Sequence, residues 1–127
     1  MFDIFYFRPD GLGEEEATPT ERFLNQLMED NIKLYEKTLR SMKLLMTYGN
    51  QLRMPYSESL RDGIFELRTI FGNNITRLFY FFDEGKIIII THGIIKKTEK
   101  TPPDEIDYAL EAKMTYFKRK EDAENEK

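Results

Sequence analysis

Phe2, Ile4 and Tyr6 stand at alternate positions of a short apolar run, the period of an opening β-strand. Arg8-Pro9-Asp10-Gly11 ends it, because proline and glycine break a ladder and favour a turn. Residues 11–17 read as an acidic loop. The period then changes: Leu24, Leu27, Met28, Leu34, Tyr35, Leu39, Met42, Leu45 and Met46 recur mostly three and four residues apart, which is helical. Thr18-Pro19-Thr20-Glu21 supplies an N-cap hydroxyl, a proline at the first helical position and a carboxylate at the third. Asp30-Asn31 interrupts the pattern, so two helices over 19–29 and 31–48 are expected as a hairpin, closed by Gly49-Asn50. Pro55 and Gly63 mark 50–63 as irregular.

Three segments rich in β-branched and aromatic residues follow: 64–71, 75–82 and 86–95. Gly72-Asn73 suits a two-residue hairpin turn, and Asp83-Glu84-Gly85 a slightly longer one. Thr101-Pro102-Pro103-Asp104-Glu105 then starts a helix reaching to about Lys118 or beyond. This order predicts an α+β fold: an antiparallel sheet, built from the N-terminal strand and a three-stranded meander, with the helix hairpin on one face and a C-terminal helix. One domain is expected over residues 1–120, with 121–127 as a charged, disordered tail.

Turn register decides which side chains share a face. A two-residue Gly72-Asn73 loop places Arg68 directly opposite Arg77. A two-residue Glu84-Gly85 loop places Arg77 opposite His92. One face then carries Glu66, Arg68, Arg77, His92 and Lys96; the other carries Phe65, Leu67, Phe71, Leu78, Tyr80, Phe82, Ile87, Ile89 and Ile95, a core face for the helices to cover. A three-residue second loop would exchange His92 for Thr91 and Lys96 for Lys97.

Charge sharpens the picture. The net charge of −4 argues against a surface built as a whole for nucleic acid. Positive charge is nevertheless local: residues 86–120 hold eight basic and five acidic groups, net +3. With no cysteine, disulfides, thiolate metal sites and cysteine nucleophiles are excluded, in keeping with a reducing compartment. A single histidine makes a dedicated metal site improbable, and no Gly-rich phosphate loop or nucleophile-elbow serine is present. No apolar run is long enough for a membrane span or a signal peptide, so a cytoplasmic protein without membrane or cofactor is expected.

Two arginines facing each other across strands repel, and such a pair persists when an anion lies between them. That anion is either a protein carboxylate, with Glu66 the nearest candidate, or a ligand phosphate matched to the guanidinium fork. Lys96, Lys97 and Lys100 continue the positive surface past the strand end, as solvated loop or as backbone contacts. His92 falls at the same strand end, where a structural role and a chemical one are both open.

Leu60-Arg61-Asp62-Gly63-Ile64-Phe65-Glu66-Leu67-Arg68, then Arg77-Leu78-Phe79-Tyr80-Phe81, then Thr91-His92-Gly93-Ile94-Ile95-Lys96-Lys97-Thr98-Glu99-Lys100-Thr101-Pro102 resemble the RelE superfamily, more narrowly its phage-derived, HigB-like branch. The resemblance implies a type II toxin–antitoxin toxin: an mRNA interferase acting in this superfamily mostly on the translating ribosome. It implies a helix-turn-helix antitoxin as partner and a sheet with helices on one side and the active surface on the other. Such metal-independent cleavage needs a base for a ribose 2′-hydroxyl, cations for charge developing on phosphorus, and an acid for the leaving 5′-oxygen. Carried over, Arg68 and Arg77 clamp the phosphate, His92 or Lys96 transfers protons, and Lys97 and Lys100 contact the RNA backbone. Tyr80 stacks on a base or, as its face suggests, packs in the core.

Overall fold

A computed structural model of the chain describes residues 1–97 and 100–126; Thr98 and Glu99 of the basic motif and Lys127 of the tail lie outside the described residues. The elements are β1 (Asp3–Tyr6), α1 (Pro19–Asp30), α2 (Ile32–Tyr48), a 3-10 turn (Gly49–Gln51), β2 (Ser57–Ser59), β3 (Phe65–Phe71), β4 (Asn74–Asp83), β5 (Ile87–Lys96) and α3 (Pro103–Asn125). They form an α+β fold on one five-stranded sheet of order β1-β5-β4-β3-β2. None of the helices among the described residues is long and apolar enough to cross a membrane.

The helix hairpin starts and divides where the sequence signals it. Thr18 and Glu21 form a reciprocal capping box at the start of α1. Asn31 closes α1 through its backbone and opens α2 through its side chain, which accepts from the Leu34 amide. The buried face of the pair is the three/four-spaced stripe: Leu24, Leu27, Leu34, Met42 and Leu45 are all buried. With Leu67, Leu78, Tyr80, Ile88 and Ile90, most of it fills the larger core. Each such side chain contributes about 1.5–3 kcal/mol by leaving water.

Four features depart from the sequence reading. β1 runs parallel to its neighbour β5, pairing Ile4 with Ile88, so the sheet is mixed instead of wholly antiparallel. β2 lies inside the stretch expected to be irregular; Ser57-Glu58-Ser59 has little strand propensity and is held by pairing with Phe65–Leu67. α3 continues through residues 121–125, where a disordered tail is expected; Lys118 pairs with Asp122 one turn on, and Lys120 reaches Asp83 at 2.9 Å. The fourth departure concerns the β4–β5 register.

The first hairpin has the expected register. Gly72, at φ 62°, takes the positive φ that a type II′ turn asks of its first central residue, and Arg68 pairs with Arg77. The second loop has three residues, since Asp83 pairs with Ile87. Alone, this would move Thr91 and Lys97 to the arginine face. A β-bulge between Phe79 and Tyr80 cancels the shift: Tyr80 pairs with Ile90 and Phe79 with His92, leaving Thr91 as the extra residue. His92 and Lys96 therefore share the face with Arg68 and Arg77. Arg77 faces Ile94, however, in place of His92, and Ile87 and Ile89 turn to the arginine face in place of Ile88 and Ile90.

That second face is closed as well. Ile64, Phe79, Phe81 and Ile89 make it apolar over half its length, and α3 covers them with Ala109 and Ala112, whose small side chains let the helix approach closely. The expectation of helices on one side and an open surface on the other is corrected accordingly.

Candidate functional site

Four neighbouring side chains of β3, β4 and β5 define the site: Glu66, Arg68, Arg77 and His92. All are nearly or wholly withdrawn from solvent: Glu66 and Arg77 are 0 % exposed, Arg68 and His92 8 % each. Arginine and glutamate are seldom buried this far unless paired. Glu66 is the pairing group. Its Oε1 lies 3.5 Å from an Arg77 guanidinium nitrogen and its Oε2 3.8 Å from Arg68 Nε. Thr101 completes a triangle, donating to Glu66 Oε1 at 2.7 Å and accepting from Arg77 at 2.8 Å. Arg68 also approaches Glu58 of β2 at 3.9 Å.

Of the two anions that could hold the cross-strand arginine pair, the structure therefore displays the protein carboxylate. Thr101 stands just before α3 and ties that helix's entry to the ion pair below it. Immediately beside the network, Glu58, Arg61, Lys100, Thr101 and Ile106 line a cleft of about 310 Å³.

His92 has a different set of neighbours. Its ring stacks on Phe79 at 4.7 Å between centroids and meets the edge of Tyr108 at 4.6 Å. Nδ1 is 2.8 Å from Thr91 Oγ1, and Nε2 is 3.3 Å from Glu105 of α3. In an Nε2–H tautomer Nδ1 accepts from the threonine hydroxyl and the Nε2–H faces the Glu105 carboxylate without a well-aligned hydrogen bond. Burial pushes the His92 pKa below its usual 6.5, and the Glu105 carboxylate opposes that only in part. At neutral pH the ring is thus uncharged, the form a general base needs, and α3 meets it through Tyr108 and Glu105.

A depressed folded-state pKa means that the unfolded chain binds the proton more readily. The contribution of neutral His92 to stability is thus complete above about pH 6.5 and is lost as the pH falls below it. Urea denaturation at pH 7 and pH 5 is expected to show a smaller acid loss for His92→Gln than for the wild type. Equal losses would refute the assignment.

The remaining residues separate by exposure. Lys96, Lys97 and Lys100 are exposed around the end of β5 and the start of the next segment, as a backbone-binding role requires. Tyr80 is on the hairpin face, 1 % exposed, with its hydroxyl hydrogen-bonded to Ser57 and its pKa raised by burial to about 12. Of its two readings, core packing is the one the structure displays. Sequence reasoning missed Glu105, Thr101 and Glu58 as neighbours of the site. Thr101 and Glu105 carry a visible signal as the helix-start motif, but the placement of α3 across the face is a tertiary fact. Among the described residues no three His, Asp or Glu side chains gather as metal ligands.

The sequence model of the family described as "Phage derived protein Gp49-like" matches residues 23–114, from the first helix to the middle of α3, and so includes every residue of the buried network. No curated protein matches the chain.

Proposed function

The chain belongs to the phage-derived Gp49-like family, a toxin-like family related to RelE and HigB, and from that membership and its site we propose that it is the toxin of a type II toxin–antitoxin pair. Its activity is metal-independent cleavage of mRNA on the ribosome in the cytoplasm, and a helix-turn-helix antitoxin holds it inactive. The observation that carries this reading is the Arg68–Arg77 pair, side by side on one face of adjacent strands and joined through Glu58 and Thr101 to the lining of a cleft that includes the exposed Lys100. In the reaction, the arginine pair stabilises charge developing on the scissile phosphate. His92 and Lys96 transfer the protons, one taking that of the 2′-hydroxyl as it attacks phosphorus and the other protonating the 5′-oxygen as its bond to phosphorus breaks, and Lys97 and Lys100 hold flanking phosphates.

One observation favours a second reading. Arg77 and Glu66 are both fully buried in an ion pair beneath Thr101, as a purely structural pair would be. On that reading the chain keeps the toxin scaffold and acts by binding its partner.

Induced expression with pulse labelling of protein synthesis, followed by mapping of mRNA 5′ ends, separates the two. The toxin reading expects arrest of translation and new mRNA ends, with purified protein cutting message on purified ribosomes. Normal synthesis with intact message would leave the partner-binding reading standing.

A further inference from the structure

The α2 helix carries a charge pattern that neither the core nor the proposed reaction uses. Lys33, Lys37, Arg40 and Lys43 are basic and Glu36 is the helix's one carboxylate, a net charge of +3 in a chain whose total is −4. Spacings of four, three and three residues put the four cations on one side of the helix, over about 15 Å of its length. Among the described residues no carboxylate lies within ion-pair distance of any of the four. Arg61, Arg68, Arg77, Lys118, Arg119 and Lys120, in contrast, each have at least one.

Beside this stripe a cleft of about 280 Å³ opens between α2 and the outer edge of β3, lined by Lys37, Arg40, Leu44, Tyr56, Arg68 and Ile70 among others. It exists because β2 is short. The Arg68 amide bonds to the Tyr56 carbonyl, and beyond that point the edge of β3 has no neighbouring strand. Tyr56 is 45 % exposed at the rim, and Leu44 and Ile70 supply apolar wall. The volume is just below the usual range of small-molecule pockets, enough for one ring system.

We propose that the α2 stripe and this cleft bind single-stranded RNA, with one unstacked base against Tyr56 and successive phosphates along Lys37, Arg40 and their neighbours, an inference that rests on the reading of this chain as an RNA-directed toxin. Cations repeated at regular intervals match a polymer that repeats its charge, and an exposed aromatic at the edge of the same groove is the companion feature of single-strand sites. An acidic peptide extending the sheet fits less well. The outward Ile70 carbonyl, which such a strand would need, already accepts from Lys37 Nζ at 3.1 Å. Arg68 is at the edge strand that borders the cleft, and its side chain belongs to the arginine pair on the other face of the sheet.

The test uses the full chain and the double variant Lys37→Glu/Arg40→Glu, with Tyr56→Ala as a companion that leaves the charges in place. Binding of a short fluorescent single-stranded RNA is titrated over a range of salt, and association with isolated ribosomes is followed by co-sedimentation. Circular dichroism establishes that each variant is folded. If the bound strand is message, the double variant loses affinity for the oligonucleotide, and its plot of log K against log salt is shallower by about 1.4, two contacts at about 0.7 each. Tyr56→Ala then weakens binding about tenfold at unchanged slope. If the strand is ribosomal, the double variant loses ribosome association while oligonucleotide binding persists.

Wild-type behaviour of the double variant in both assays overturns the inference, as does binding of a glutamate-rich peptide in place of RNA. The nuclease reading fails separately. RNA binding that depends on Lys37 and Arg40 in a wild-type chain that cuts no message would retain the track and remove the enzyme. Message cleavage with unchanged binding in the double variant would do the reverse.

Discussion

Arg77→Ala is expected to cost about 3–5 kcal/mol of folding stability, because it leaves the Glu66 carboxylate buried without the guanidinium 3.5 Å away. Small domains have only about 5–15 kcal/mol in total, so the variant should melt on the order of 10–20 °C lower and be partly unfolded in cells. Thermal and urea denaturation check this directly. A loss under 1 kcal/mol would mean that the pair contributes little and that Glu66 finds another donor at no cost.

The size of that effect determines what mutagenesis can say about activity. Loss of growth arrest in Arg77→Ala would follow from unfolding as readily as from lost catalysis. The informative variant is Arg77→Met combined with Glu66→Leu, which replaces both charges by apolar groups of similar size and should recover most of the stability, since Arg68 retains Glu58. A stable double variant that still arrests translation would restrict Arg77 to a role in the fold. A stable one that is inert would place Arg77 or Glu66 in the reaction.

What could be read from the sequence follows the range over which its signals act. The capping box at Thr18, the Asn31 break and the Gly72 turn are local, and each is found where the residues put it. The Arg68–Arg77 pairing was legible because a two-residue turn fixes it, a few residues away. The β4–β5 register was not, because Ile87-Ile88-Ile89-Ile90 has no alternation to choose a face, so the two- and three-residue loops both remain open and the bulge leaves no mark on the pattern. That His92 and Lys96 lie on the expected face is the outcome of two shifts that cancel.

Burial of the site was hidden for a related reason. Residues on a half-polar face look solvent-exposed in the sequence, and only the approach of α3 through Ala109 and Ala112 closes it. The same closure converts His92 from a surface group into a neutral ring facing Glu105. Composition could show the choice between a phosphate and Glu66 as the anion between the arginines but could not decide it. The ion-pair geometry supplies the protein half of the answer, and activity must supply the other.

Arg68→Lys puts that remaining half to the test, because it keeps the charge that the neighbouring carboxylates require. Arg68 lies at the margin of the network, 8 % exposed, between Glu66 at 3.8 Å and Glu58 at 3.9 Å, so an ammonium at the same place keeps the charge that both carboxylates require. Because Arg68 is itself buried and loses guanidinium contacts, stability is expected to fall by about 1–3 kcal/mol, and urea denaturation establishes that the variant is folded under the assay conditions. A lysine cannot offer the planar fork that spans two phosphate oxygens, nor hold a rigid donor toward charge that develops only in the transition state. If Arg68 acts on phosphorus, message cleavage on ribosomes should fall about 10²–10³-fold, the usual consequence of losing one transition-state donor, while binding of uncleaved RNA stays within a few-fold of the wild type. Cleavage at the wild-type rate would assign Arg68 to the fold, as the partner of two carboxylates, and with it the arginine pair would lose its claim on the chemistry.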